Sequence, residues 1–435
     1  MASRTLAHVS KLVVLAMLLA MALPAAPRTA YAVNPPTFMV NSTADVAGPP
    51  GSANCVIPGD PTTCTLRAAI MAANHTPGGG ATIIVPAGNY PLTNMPSGPD
   101  DESTGDLNVT AVMTIAGAGP RLTFIDATGL NDRVFNVNVG GPVTISGVSI
   151  AHGSVVGAGG GLYAGAAPLT LSNSEVQHNH AGANGGGIYN THLMVVTNSL
   201  IDNNEAPGSA GGGIWTAADL RLVASTVSAN HADNGAGIYN YNSSTLHLVD
   251  STVAGNLATA NGGGLYNNPS AEADLFSATI AANQADSDLN GSGVGGGVYN
   301  LPTASLSFTD TLIADNLESF FVLGAWTPAP GNCHGTLTSG GYNMLDLVNC
   351  TISGAAATTA DPLLGALGSH GGPTPTLPLL AGSPAINAGD PAGCRGDLGQ
   401  PLATDQRGWA RVIGPRCDIG AYEAPLNVWL PLVRR

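Results

Sequence analysis

The chain has 435 residues, carries 28 acidic against 13 basic side chains for a net charge of −15, and is only 9% charged. Nucleic acid and anionic lipid both require a basic face, which this composition does not supply, so neither is expected as a partner. Disorder is excluded by the 44% of hydrophobic residues. Beyond the N-terminus these fall in short runs separated by glycine, the pattern of many short strands joined by turns.

Arg4, His8 and Lys11 precede an apolar run over residues 12–23, and Ala30-Tyr31-Ala32 offers a small-x-small cleavage site. Residues 1–32 therefore read as a secretion signal, with the mature protein starting near Val33. The run is too short to span a bilayer comfortably, and no other segment suggests a transmembrane span. Loss of Arg4, Lys11 and Arg28 leaves 10 basic against 28 acidic residues, a net charge of −18, and no lysine. In an exported protein six cysteines favour disulfides. Fifteen pairings are possible, and placement along the chain favours the local one: Cys55 with Cys64, Cys333 with Cys350, and Cys394 with Cys417.

Residues 33–80 form an N-terminal cap. Within it, residues 65–74 carry alanine and leucine at helical spacing and stop at Pro77-Gly78-Gly79-Gly80, which predicts a short helix covering the open end of a stack of strands. From Ala81 the texture becomes strand and turn, with strands expected over 82–85, 112–115, 123–125, 134–139 and 143–150. A Gly-Gly-Gly-Ile-Tyr-Asn phrase then recurs in six variants, at 159–163, 185–190, 211–215, 235–240, 262–267 and 295–300. Each copy sits beside a Ser-x-Val/Ile-x-x-Asn phrase whose asparagines are Asn179, Asn204, Asn230, Asn256, Asn283 and Asn316, spaced 25, 26, 26, 27 and 33 residues apart. A fixed period of this size marks a solenoid in which each turn buries its apolar face only against its neighbours.

Alignment on the asparagines gives two apolar columns: Val176, Ile201, Val227, Val253, Ile280 and Ile313, then Leu171, Val196, Leu222, Leu248, Leu275 and Phe308. Both should stack inward. The asparagines are placed at a turn, hydrogen-bonded from rung to rung and tolerant of unusual backbone angles. Residues 81–320 thus read as a parallel β-helix of roughly ten rungs at about 4.8 Å each, a rod on the order of 50 Å long. Residues 321–423 leave the period and are rich in proline and glycine, as an end-piece would be. Residues 424–435 form an apolar then basic tail, either a sorting or attachment signal or a last strand with a ragged end.

Three stretches resemble known families. Cys64 to Asn74 with the adjoining strand looks like the domain named for its Cys-Ser-Leu-Arg-Glu-Ala motif at the N-terminal end of bacterial surface β-helices, although Thr65 and Ala68 replace the serine and the glutamate. Gly105-Asp106-Leu107-Asn108-Val109 resembles the Gly-Asp-Leu-Asp-Ile stretch that often comes after that motif. Asp361-Pro362-Leu363-Leu364, Gly371-Gly372-Pro373-Thr374, Gly382-Ser383-Pro384-Ala385-Ile386, Asp405-Gln406-Arg407-Gly408 and Cys417-Asp418-Ile419-Gly420-Ala421-Tyr422-Glu423 form an ordered series similar to the choice-of-anchor Q-type domain of secreted bacterial proteins. The middle repeats are similar to those of chlamydial polymorphic outer-membrane proteins. These resemblances imply an all-β, right-handed, pectate-lyase-like parallel β-helix at the cell surface or in the extracellular medium. They bring no catalytic residues with them.

Three sets of residues are candidates for function. The aromatic column Tyr163, Tyr189, Trp215, Tyr239, Tyr266 and Tyr299 comes directly after inward-pointing apolar residues, so alternation turns it outward. Its rings either stack on one another over the glycine backbone or meet sugar rings, with Asn190, Asn240, Asn267 and Asn300 supplying amides. A second set, His180, Glu205 and His231 with Asp202, His178 and Asp233 nearby, is either a solvated turn or a place for a divalent metal or acid–base chemistry. The third, Asp286-Ser287-Asp288-Leu289-Asn290-Gly291, opens like a calcium loop, but Gly297 stands where the bidentate glutamate belongs. Asp100, Asp101, Glu102 and Asp106 make a weaker calcium suggestion, and no other cofactor is expected.

By family resemblance, lyases of this fold use calcium carboxylates and a basic residue that abstracts a proton. Between residues 140 and 394 the one lysine or arginine is Arg221, too little to hold an acidic sugar. Hydrolysis needs two carboxylates about 5 Å or about 6.5–9.5 Å apart, which neighbouring rungs could supply. The regularity of the repeats, broken only near 284–294 and 320–332, favours a non-catalytic rod for adhesion or for polysaccharide or matrix binding. A carboxylate-based glycoside hydrolase is the alternative.

Overall fold

The computed structural model describes residues 35–98, 100–322 and 325–425. The secretion signal and nearly all of the tail lie outside the described residues. Each turn of the chain lays one strand into each of three parallel sheets, which contain twelve, eleven and nine strands. The first sheet runs from Thr37–Met39 to Thr351–Gly354, the second from Gly88–Pro91 to Thr358–Thr359, and the third from Leu107–Val109 to Cys333–His334. A five-stranded minor sheet from Ser154–Val155 to Leu257–Ala258 fills the corner between the second and third. The architecture is a right-handed parallel β-helix, longer by two strands in its first sheet than the roughly ten rungs read from the period.

Both predicted columns are inward and in register. Leu171, Val196, Leu222, Leu248, Leu275 and Phe308 pair successively in the first sheet, and Val176 to Ile313 do so in the second. None is more than 1% exposed, so the core is a continuous apolar stack along the solenoid. The helix Leu66–Asn74 is N-capped by the Thr65 hydroxyl and packs on the strands Ala81–Val85 and Leu107–Val109 of the first turn. Its Arg67 is fully buried in a bidentate ion pair with Asp45 at 2.7 and 3.2 Å.

The buried asparagines form the expected ladder. Nδ2 of Asn179, Asn204, Asn230, Asn256 and Asn283 donates to Oδ1 of the next at 2.9, 3.0, 2.9, 2.8 and 3.0 Å. Asn316 passes the ladder on to Asn332 at 3.0 Å. The unusual backbone angle, however, falls one residue earlier: His178, Asn203, Ala229, Gly255, Ala282 and Asp315 have φ between 51° and 69°. The left-handed residue turns the corner, and the asparagine behind it satisfies the main-chain groups exposed there.

The three disulfides are the local ones, Cys55–Cys64, Cys333–Cys350 and Cys394–Cys417. Two irregular stretches come together on one side. The hairpin Leu317–Val322 with Ala325–Pro330 lies against the loop at 286–291, where the Ser319 hydroxyl donates to Asp286 and Trp326 covers Gly291.

Residues 360–425 do not close the end of the solenoid as an end-piece would. They run back along its flank over the second sheet. Thr226 Oγ1 donates to the Pro375 carbonyl at 2.7 Å, Gln406 Nε2 donates to Thr226 Oγ1 at 2.7 Å, and Thr252 Oγ1 donates to Gln406 Oε1 at 2.6 Å. Further along, the amide of Ala421 donates to Thr279 Oγ1 at 3.0 Å and that of Gly420 to the Asp310 carbonyl at 2.8 Å. Arg221, the basic residue weighed for lyase chemistry, is held in a bidentate ion pair with Asp397 of this segment at 2.7 and 2.9 Å.

Candidate functional site

The third sheet has two inward and one outward position per strand, which sets the fate of each residue in the Ile-Tyr-Asn phrase. The first position, from Leu162 to Val298, is core. The second carries the aromatic column. Tyr163–Tyr189, Tyr189–Trp215, Tyr239–Tyr266 and Tyr266–Tyr299 stack with centroids 5.1, 4.4, 4.7 and 4.9 Å apart and planes within 29° of parallel. Trp215 does not stack directly on Tyr239. Tyr241 sits between them, 5.2 and 6.2 Å from each, a ring that the repeat alignment misses because it lies two residues past the column. His334 continues the stack beyond Tyr299 at 4.8 Å, and the Arg133 guanidinium lies 5.2 Å from the Tyr163 ring at the other end.

The ring faces are therefore taken up by one another. Trp215 is buried and the five column tyrosines are half-buried, so solvent meets ring edges and hydroxyl groups. Burial, reinforced by the neighbouring Tyr239 and Tyr299, pushes the Tyr266 phenol up to about 12. Burial also raises Tyr189 and Tyr239, so these groups stay protonated at neutral pH. The asparagines expected beside the rings are not there. Asn190, Asn240, Asn267 and Asn300 occupy the third, inward position, are at most 2% exposed, and bond along the stack, as from Asn240 to Asn267 and from Asn267 to Asn300, both at 2.8 Å.

His180, Glu205 and His231 occupy one register column of the minor sheet on successive rungs. Asp202 lies outside that column, around the asparagine corner in the second sheet, where it accepts from Ser228 Oγ at 2.5 Å and from Asn203. Asp233 accepts from Thr259 Oγ1 at 2.9 Å and from the Gly208 amide at 3.1 Å. His178 stacks instead on His152, 5.7 Å away, and His152 bonds Asp126 at 2.9 Å. The sequence period conceals this group because Asp126 and His152 precede the clear repeats. Although burial works the other way, hydrogen bonds from Thr128 and His152 hold Asp126 below the usual carboxylate range.

Among the described residues, one trio of His, Cys, Asp or Glu brings its ligand atoms within 4.8 Å of one another: Asp310, Cys394 and Cys417. Both sulfurs belong to a disulfide, so this is no metal centre. In the acidic loop, Asp286 is fully buried. Its Oδ1 accepts from the amide of Asn290 at 3.0 Å and its Oδ2 from that of Gly291 at 2.7 Å. Asn290 Nδ2 in turn donates to Asp288 at 2.7 Å. The calcium-like order of acids thus shapes the loop by capping its own backbone. In the earlier acidic stretch, burial and then Asp132 and Asp100 push Asp106 up to about 7, with Arg133 opposing at 3.2 Å.

No family model matches the chain, and no curated protein matches it. Among solved structures, the crystal structure of pectate lyase Pel9A is similar at 14% identity with a TM-score of 0.46, over 90% of this chain and 98% of that one. Among the described residues, no helix is long and apolar enough to cross a membrane.

Proposed function

We propose that the chain is an exported, non-catalytic β-helix of the cell surface or extracellular medium that binds polysaccharide or matrix along its third sheet. The observation carrying this reading is the unbroken aromatic stack from Tyr163 to His334, which sets ring edges and phenol hydroxyls on a rigid face at one-rung spacing. A polymer with periodic hydroxyl groups meets such a face by hydrogen bonds, and the scarcity of cations there favours a neutral one. The resemblances to exported surface β-helices at both ends of the chain support the location, as do the three disulfides.

The test incubates purified protein with a panel of polysaccharides, with and without calcium, and measures retained protein and released sugar together. Retention without new sugar ends is expected, and it should weaken in Tyr239→Phe, Tyr266→Phe and Tyr299→Phe, which keep the stack and remove the hydroxyls. Undiminished retention in the triple variant would rule out this face.

A glycoside hydrolase is the second reading. The observation favouring it is a polar patch on the early turns of the second sheet, where Asp126 bonds His152 and His152 stacks on His178. The His178 amide donates to the Asp202 carbonyl at 3.3 Å, and Glu175, three residues before His178, pairs with Arg121 at 3.3 Å. Released sugar ends that vanish in Asp202→Asn or Glu175→Gln would establish it.

A further inference from the structure

The column places identical phenols one above another in strict register: Tyr163 over Tyr189, Tyr239 over Tyr266, and Tyr266 over Tyr299. Their centroids are 5.1, 4.7 and 4.9 Å apart, with planes 15°, 15° and 29° from parallel. In-register stacking lays each ring against the ring of the next rung, so the carbons ortho to the two hydroxyls belong to rings in direct contact. The rings are half-buried, so small oxidants reach them while the sheet holds their positions. Trp215 and Tyr241 continue the contact between the two groups of tyrosines, so a ring oxidised anywhere in the stack can pass its electron deficit along.

We propose that this column is a site of oxidative tyrosine coupling, in which a one-electron oxidant joins stacked tyrosines of successive rungs by carbon–carbon bonds. Each phenol loses one electron and its hydroxyl proton to give a phenoxyl radical. The two ortho carbons then form a bond, and each joined carbon passes its hydrogen to its own oxygen, restoring both aromatic rings. Two electrons leave to the oxidant and two protons to water. Holding both rings in contact converts an encounter between radicals into a local step, the circumstance in which proximity accelerates a reaction most. The product ties one rung to the next through side chains, in addition to the strand hydrogen bonds. The Trp215 and His334 positions break the run, which restricts coupling between successive rungs to Tyr163–Tyr189, Tyr239–Tyr266 and Tyr266–Tyr299, while Tyr241 meets Tyr239 from two residues along the same turn at 6.2 Å.

The experiment irradiates dilute purified protein with ruthenium tris-bipyridyl and persulfate, which takes up the two electrons as it becomes two sulfates. The readouts are dityrosine fluorescence, migration on a denaturing gel, and mass spectrometry of cross-linked proteolytic fragments. The expected result is monomeric protein carrying the links Tyr239–Tyr266, Tyr266–Tyr299 and Tyr163–Tyr189. Tyr266→Phe keeps a ring in the stack yet should lose the first two links. The double variant Tyr189→Phe, Tyr266→Phe should lose all three, and urea-unfolded protein should lose their pairwise selectivity. The proposal is overturned if links form only between molecules, if the folded double variant keeps the wild-type intramolecular yield, or if the rings are oxidised without coupling.

Discussion

Arg411, near the end of the returning segment, forms a buried ion pair with Asp250, which sits at the corner between the first and second sheets 161 residues earlier. The same guanidinium donates to the Gly420 carbonyl at 2.7 Å and lies 3.6 Å from Glu423. Burial holds Asp250 above the usual carboxylate range even against the pull of Arg411. Removing one partner of a buried pair strands the other charge, at a cost of about 3–5 kcal/mol. Arg411→Met is therefore expected to loosen residues 360–425 while the solenoid stays folded. Hydrogen exchange resolved along the chain checks this, and unchanged protection of that segment would mean the pair does not hold it down.

Two further acids give the attachment of this segment an unusual pH dependence. Burial pushes Asp310 up to about 6, in spite of a hydrogen bond from the Asp390 amide. Burial likewise pushes Asp418 up to about 6 against hydrogen bonds from the amides of Asn387 and Ala424. Both folded values exceed the ordinary 3.8, so each carboxyl holds its proton more tightly when folded. The stabilisation is complete below the ordinary value and is lost as pH rises through about 6. Asp60, lowered to about 2 by hydrogen bonds from Thr63 and Thr62, acts oppositely and in a lower window. Protection of residues 360–425 should accordingly increase as pH falls from about 7 to about 5. Asp310→Asn should flatten that rise, and a wild-type segment that loosens over this interval would contradict the assignment.

The asparagine ladder concentrates its cost in single residues. Asn230 donates to the Ile201 carbonyl at 3.0 Å and to Asn256 Oδ1 at 2.9 Å, and its Oδ1 accepts from both the amide and the side chain of Asn204 at 2.9 and 3.0 Å. Asn230→Ala leaves these buried partners unsatisfied, at about 1–3 kcal/mol for each group affected. A clear fall in denaturation midpoint is expected. The exposed Asn138→Ala serves as the control and should change it little.

The residues that repeat were legible, because a period averages away local noise. The inward columns through Val227 and Leu222, the capping helix behind Thr65 and the local cysteine pairs all lie within one or two turns of sequence. What sequence reasoning missed depends on contacts without a period. Gln406 meets Thr252 across 154 residues, and nothing in the spacing of either announces it. The inward turn of Asn240 arises from strands of three residues that bury both ends, a departure from the simple alternation that a longer strand would keep. The corner residues were equally hidden, since His178, Ala229 and Asp315 share a backbone angle but no chemistry.

The third glycine of each phrase faces the asparagine ladder, which leaves no room there for a side chain. A Cβ on Gly213 would lie 2.6 Å from the Gly237 carbonyl oxygen and 2.8 Å from Asn230 Nδ2. The first of these atoms is backbone and the second is fixed by two hydrogen bonds, so neither can yield without opening the ladder. Gly213→Ala is thus an overpacking change, expected to cost about 1–3 kcal/mol or more. Gly140 lies in an exposed bend with nothing within 4 Å of such a Cβ. There the same substitution restricts mainly the unfolded chain and should stabilise by about 0.4–1 kcal/mol. Paired urea titrations of the two variants check the contrast. Equal midpoints would mean that the glycines serve the turn alone and not the close approach to Asn230.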